Sequence, residues 1–302
     1  LLEMSINLSE LTKGYFNPTL GELSDTWTYE IKEGGIKSQR FSPYCLKGND
    51  PSINDIQDAM ESIVPYESLR NVIELNKDES TVKFNKYNNI DKVTLSLGAI
   101  AKGFAVELAK KELESYNTVL SISGGTSSSY TIGKNPNPER DYWLIGLASP
   151  YKSGFDPTAM LSVKFDNTYT LSVSGDYESS YYIEENGKKI IRHHILNPFT
   201  GYPENNVRVL SVWSDTESGV LDGLSTALFN MPNSDEMLDT IYRVEEFYNM
   251  DIELFYEVEA NQEKKKIDLY MTKDFKDIVY QYNTAYFNGV SVIDDINEGL
   301  EK

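Results

Sequence analysis

The sequence predicts an α+β fold. Three observations carry this: helix and strand patterns follow one another without a strict βαβ rhythm, two strong helical patterns stand among runs of strand, and two further strands follow the second helix. Residues 52–62 place Ile53, Ile56, Ala59 and Met60 at helical spacing behind Ser52, whose hydroxyl suits an N-cap. VIELNKDESTVKF at 72–84 reads as a hairpin with a polar turn. Residues 91–116 read as a strand that stops at a glycine turn and feeds a long amphipathic helix. TVLSISGG at 118–125 then reads as a buried strand ending in a double glycine, and 161–174 and 206–213 as further strands. GVLDGLSTALFNM at 219–231 spaces Val220, Leu221, Leu224, Ala227, Leu228 and Met231 as a buried helix does. Strands at about 251–258 and 266–271 close the core. PNPERD at 136–141 and YKSGFDP at 151–157 are turn-rich connections rather than linkers, so residues 1–302 are read as one catalytic unit.

With 302 residues, 40% of them hydrophobic, the chain can bury a substantial core. Its 28 Lys and Arg against 47 Asp and Glu give a net charge of -19, which repels polyanions and argues against nucleic acid as a partner. An anionic ligand would need local help from a metal ion, one well-placed lysine or a helix N-terminus. The single cysteine, Cys45, excludes an internal disulfide and is read as a buried or idle thiol. No run approaches the ~18 apolar residues of a membrane-spanning helix. The chain opens on Leu1 rather than a start methionine, so it is expected to be a trimmed form, with any leader or lipid anchor lying upstream.

Three segments could carry chemistry. In LSLGAIAKGFAVE at 95–107, Gly98 allows a tight turn and Lys102 falls in the first turn of the following helix, an arrangement that receives phosphate on free N–H groups and a full positive charge. The plain alternative is a solvent-facing lysine. RHHILNPFTGYP at 192–203 holds the only two histidines, His193 and His194, which an extended chain sends to opposite faces. One of them could accept a hydroxyl proton near neutral pH, or either could be structural. In LDGLSTA, Asp222 and Thr226 stand one helical turn apart and could offer oxygens to a hard cation such as Mg2+. Alternatively, Asp222 favours the helix dipole and Thr226 bonds back to the helix.

These segments, in this order, resemble the FAD:protein FMN transferase family, also called the ApbE or thiamine-biosynthesis lipoprotein family. GYFNPTLGELSDTW (14–27) resembles G-x-F-[DN]-P-T-x-G-x-L-x-x-x-W, and LGAIAKGFAVE (97–107) resembles L-G-[GA]-I-A-K-G-Y-A-V-D. SISGG (121–125), SGDYESSYY with the HHILNPFTGYP turn (174–203), and LDGLSTALFNM (221–231) complete the likeness, which spans about residues 14–231. The resemblance implies an ApbE-type α+β fold with mixed sheets packed around a flavin cleft. It implies a Mg2+-dependent transfer of FMN from FAD to a Ser or Thr hydroxyl of a carrier protein, with AMP released. The Ala99 carbonyl and the side chains of Asp222 and Thr226 would hold Mg2+. Tyr15, Phe16 and Asn17 would line the nucleotide site, Ser96 and Lys102 would contact FAD, and the backbone around Ile195 would meet the ligand. His194 would be the general base, with Asp176 of the SGDY segment as the alternate. The family also implies the extracytoplasmic face of a bacterial membrane, with a tether upstream of the given chain.

The chain departs from the family pattern at three acidic positions, where Ser96, Thr126 and Asn197 stand, so metal affinity or the grip on FAD should differ. Only residues 1–13 precede the G-x-F-[DN]-P-T segment, where the family has a long stretch that helps to cover the flavin. Two rivals follow: an FAD pyrophosphatase with water as acceptor, and a non-catalytic FAD-binding protein.

Overall fold

The computed structural model describes residues 1–32, 46–90, 92–116, 120–125, 127–151, 159–165, 168–177, 179–215, 218–285 and 287–293. Its helices are α1 (Leu2–Leu11), α2 (Gly21–Lys32), α3 (Ile53–Glu61), α4 (Leu69–Val72), α5 (Ala101–Glu114), α6 (Ser218–Phe229), α7 (Ser234–Tyr248) and α8 (Lys273–Asp277). The strands are β1 (Ile73–Asn76), β2 (Thr81–Phe84), β3 (Leu120–Gly124), β4 (Ser128–Ile132), β5 (Trp143–Leu147), β6 (Leu161–Phe165), β7 (Tyr169–Gly175), β8 (Ser180–Glu185), β9 (Lys188–His193), β10 (Val209–Ser214), β11 (Glu253–Asn261), β12 (Lys266–Met271), β13 (Val279–Tyr282) and β14 (Phe287–Val292).

Seven strands make the main sheet in the order β14-β12-β11-β10-β7-β4-β3, antiparallel except for the parallel pair of β12 and β14. Strands β13, β6 and β5 form a second sheet, and β8 with β9 and β1 with β2 form hairpins. All six residues of β10 are buried, because it is covered on both faces. Strand alternation turns Leu210 and Val212 toward α6 and Trp213 toward the second sheet. Val220, Leu221, Leu224 and Leu228 of α6 are fully buried, each stabilising the fold by about 1.5–3 kcal/mol relative to exposure. On the other face, Trp213, Phe255 and Phe275 pack with Leu161 and Val163, and the two phenylalanine rings stack at 5.3 Å. None of the described helices is long and apolar enough to cross a membrane.

The crossing of α5 and α6 positions the site. A Cβ on Gly103 would lie 2.3 Å from the Ser218 carbonyl oxygen and 2.6 Å from Asp222 Cβ, so only glycine permits this approach. Ser218 Oγ donates to the Gly103 carbonyl at 3.0 Å, and the Gly219 N–H at the start of α6 donates to the Glu107 carboxylate at 3.1 Å. These contacts fix Lys102 on α5 against Asp222 and Thr226 on α6.

The capped helix at Ser52, the 72–84 hairpin, the buried helix α6 and the strands β10, β11 and β12 stand where the sequence placed them. The expected strand before Gly98 is absent. That stretch is extended, but the Gly21 N–H donates to the Thr94 carbonyl and the Ser96 N–H to the Pro18 carbonyl, so it serves a turn rather than a sheet ladder. The strand at 120–124 is the edge of the main sheet, partly exposed instead of buried. The run 161–174 is divided between β6 and β7, which belong to different sheets. Cys45 and Thr126 lie outside the described residues.

Glu257 on β11 is fully buried, and neither carboxyl oxygen accepts a hydrogen bond among the described residues. Burial pushes its carboxyl well above the usual carboxylate range, with Arg208 opposing and Asp176 adding to the shift. A carboxyl raised in the folded state binds a proton there before the unfolded chain does, so its contribution is lost as pH rises from about 4.5 through the folded value. Glu257→Leu should therefore be more stable than wild type at pH 8. Its advantage should shrink, by up to about 1.4 kcal/mol per pH unit, on titration toward pH 4.5. Urea unfolding at several pH values checks this, and a difference that does not vary with pH would contradict it.

Candidate active site

A cavity of about 240 Å3 opens where α5, α6 and β7 meet the 15–24 segment and the turn after β9. The residues the resemblance assigns to the site line it: Tyr15, Phe16, Asn17, Ser96, Ala99, Lys102, His194, Ile195, Asp222 and Thr226; the alternate bases His193 and Asp176 do not. The lining residues do not all face it with free groups. Asn17 commits Nδ2 to the Val64 carbonyl at 2.9 Å and Oδ1 to the Thr19 N–H and hydroxyl at 2.9 and 2.8 Å. Phe16 is a core residue packed with Leu8 and Ile100. Tyr15 stays partly exposed, edge-on to Phe199 at 5.0 Å, at the cavity mouth. The Ile195 N–H is spent on His193 Nδ1 at 3.2 Å, so it is not the group that would meet a ligand.

The two histidines separate as strand geometry requires. His193, the last residue of β9, is fully buried and edge-on to Phe229 at 5.4 Å. A backbone N–H can only donate, so Nδ1 accepts from Ile195. Nε2 then carries the proton and donates to the Glu204 carbonyl at 2.8 Å. Burial pushes this ring down to about 3, so it stays neutral across ordinary pH and has no lone pair to spare. His194 is exposed and lines the cavity.

Asp222 is almost completely buried beneath the cavity floor. Its Oδ2 accepts the Gly103 N–H at 2.9 Å, and its Oδ1 accepts the Ser128 and Ser172 hydroxyls at 3.2 and 3.3 Å. Burial raises its carboxyl above the ordinary value, opposed first by the Lys102 charge and then by these donors. Lys102 Nζ lies 3.8 Å from Asp222 Oδ1 and donates to the Gly98 carbonyl at 2.9 Å. Thr226 Oγ1 reaches back to the Asp222 carbonyl at a long 3.4 Å, which leaves its lone pairs for the cavity. The described residues contain no cluster of three or more His, Cys, Asp or Glu that could hold a metal. A cation here would thus rest on one carboxylate, one hydroxyl and the Ala99 carbonyl, with ligand phosphates and water completing the shell. That all-oxygen set fits a hard ion such as Mg2+.

The sequence reading missed Tyr177, which lines the cavity beside Gly175, where a Cβ would lie 2.4 Å from the tyrosine ring. The SGDY segment held the signal, since a glycine two residues before an aromatic lets the ring fold back on the chain. Asp176 in the same segment is not a base for this cavity. It is buried, ion-paired with Arg208 Nε and pushed up to about 6 by that burial, and Arg208 also bonds Glu259 at 2.6 Å. Asn197 is likewise turned away from phosphate chemistry. Its Oδ1 accepts the Phe199 N–H at 2.8 Å, as an Asp would, and its Nδ2 donates to the Glu204 carboxylate at 2.8 Å, which an Asp could not do, so it builds the turn.

The model of the ApbE family matches residues 1–246. The chain is 28% identical over 233 residues to the FAD:protein FMN transferase of Haemophilus influenzae, covering 76% of this chain and 58% of that one. It is 27% identical over 236 residues to the Vibrio cholerae protein of the same name, covering 76% and 60%. The chain therefore spans only about 60% of the length of these relatives. Among solved structures, the ApbE protein of Thermotoga maritima superposes with a TM-score of 0.66 at 23% identity, covering 93% of this chain and 77% of that one. The flavin transferase ApbE of Vibrio cholerae does so at 0.60 and 19%, covering 91% and 74%. At these identities the structures speak for the fold alone.

Proposed function

The chain belongs to the ApbE family, and from that premise we propose that it is a Mg2+-dependent FAD:protein FMN transferase, which moves FMN from FAD to a Ser or Thr hydroxyl of a carrier protein and releases AMP. The observation that carries this reading is the convergence, in one cavity, of a buried carboxylate, a lysine and an exposed histidine from three separated stretches of chain. At about 240 Å3 the cavity is smaller than the ~300–1,000 Å3 of ordinary ligand pockets, so it would hold part of the dinucleotide with the rest across its mouth.

Lys102 would turn its ammonium from the Gly98 carbonyl to a pyrophosphate oxygen. Mg2+, held by Asp222, Thr226 and the Ala99 carbonyl, would supply further positive charge against the pyrophosphate. His194 would take the proton of the acceptor hydroxyl as its oxygen bonds to the FMN phosphorus. The phosphorus–oxygen bond to AMP would break, and AMP would leave with the electron pair. Water is the second acceptor to consider, because His194 is exposed at the cavity and water can reach it.

Incubating the protein with FAD and Mg2+, with and without a carrier protein bearing an acceptor Ser or Thr, tests this. Flavin fixed to the carrier supports transfer, AMP formed without carrier supports hydrolysis, and intact FAD in both arms leaves only binding. Lys102→Met keeps a good helix former and removes the charge. It should weaken FAD binding about tenfold, the loss of ~1.4 kcal/mol expected for one charge-assisted contact. Unchanged affinity by calorimetry would make Lys102 a solvent-facing lysine.

A further inference from the structure

We propose that Ser128 and Ser172 are positioning residues for the Asp222 carboxylate, holding it so that one lone pair is left for a divalent cation. The proposal rests on the metal site described above and extends it to residues that site does not include. An ionised carboxylate has about four lone-pair sites. Three are taken by donors from three elements: the Gly103 N–H of α5, Ser128 of β4 and Ser172 of β7. The two serines are direct cross-strand partners in the ladder of β4 and β7, so their side chains share the face turned to α6 and converge on the same oxygen.

That face is where aliphatic side chains belong. On the neighbouring strand β10, Leu210 and Val212 occupy it, whereas β7 presents Thr170, Ser172 and Ser174 opposite Ser214, Val212 and Leu210. Ser172 is fully buried and Ser128 nearly so, and a buried hydroxyl is costly unless it is bonded. A second row of bonds supports the first. Ser225 on α6 donates to the Asp222 carbonyl at 2.9 Å and its oxygen meets Ser174 at 2.9 Å, while Ser172 lies 3.2 Å away in a contact that carries no hydrogen bond when the Ser172 proton is on Asp222. Because the carboxylate only accepts, Ser128 and Ser172 must donate to it. Ser225 has its one proton directed at the Asp222 carbonyl, so it accepts from Ser174. The hydroxyls are thereby oriented toward Asp222, a preset arrangement of the kind that outer-shell groups give to metal ligands.

The test is Mn2+ binding to the whole chain, followed by loss of the free-ion paramagnetic signal, with and without FAD. Ser172→Ala and Ser128→Ala should each raise the Mn2+ Kd about tenfold or more, the usual scale for losing an outer-shell partner, and Ser128→Thr, which keeps a hydroxyl, should restore it. Ser211→Ala is the control for packing, because Ser211 is a fully buried serine of the same sheet whose hydroxyl has no partner among the described residues. It should leave Kd within about twofold. Either serine tested alone decides the matter if the other variant does not fold. Wild-type affinity in the Ser→Ala variants, with binding lost in Asp222→Ala, overturns the positioning role and spares the metal site. Wild-type affinity in Asp222→Ala overturns the metal site and this proposal together.

Discussion

Asp222→Ala is expected to abolish Mg2+-dependent turnover with FAD. The remaining donors, the Thr226 hydroxyl and the Ala99 carbonyl, are neutral, and a divalent ion sheds its water for such groups only when a carboxylate accompanies them. The loss should exceed about 10^2 in kcat/KM at limiting Mg2+, or about 2.7 kcal/mol of barrier. Retention of more than about a tenth of wild-type activity, a cost of only ~1.4 kcal/mol, would contradict the assignment. Stability should also change, because Gly103, Ser128 and Ser172 lose their common acceptor. Asp222→Asn separates the two effects. Its amide oxygen still accepts the serine hydroxyls but its NH2 cannot accept the Gly103 N–H, so it should lose less stability than Asp222→Ala while the charge is gone and turnover remains lost. A melting curve for each variant beside the Mg2+ dependence of its rate makes the distinction.

The sequence disclosed what is periodic or local. The spacing of Val220, Leu221, Leu224 and Leu228 marks a buried helix and sets Asp222 and Thr226 one turn apart, and the proline and glycine of NPFTGYP mark a turn. Other features exist only through long-range pairing. Ser128 and Ser172 are ordinary serines in ordinary strands until the ladder of β4 and β7 sets them opposite each other under α6. Residues 92–97 look like a strand, yet their partners are the Pro18 and Gly21 backbone, which no local pattern announces. The acidic departures divide in the same way. Asn197 proves to be a turn residue because Glu204 and the Phe199 amide surround it, whereas Ser96 does line the cavity. Helices α1 and α7 escaped the reading although both pack on the main core.

The second large effect concerns the histidines. His194→Asn should slow flavin transfer by about 10^2 or more with FAD still bound, the usual scale for losing a general base. His193→Asn should leave the rate of the folded protein nearly unchanged, because His193 has both ring nitrogens engaged by Glu204 and Ile195 and does not line the cavity. It should instead lower stability by about 1–3 kcal/mol, since a buried carbonyl and a buried N–H lose their partner. A base works only when neutral, so the wild-type rate should fall on acidification once the catalytic imidazole is protonated, within the range of about pH 5–8 where histidine charge changes fall. His193, held near 3 by burial, titrates far below that range and cannot produce this limb. Measuring both variants at saturating FAD and Mg2+ from about pH 5 to 8 covers this range. The limb should vanish in His194→Asn and persist in His193→Asn. Equal losses of rate from both substitutions would make the pair structural. A limb that survives in His194→Asn would point to another group titrating in that window. Asp176, pushed up to about 6, titrates there, and through Arg208 and the 174–177 turn it could alter the cavity wall without touching the substrate.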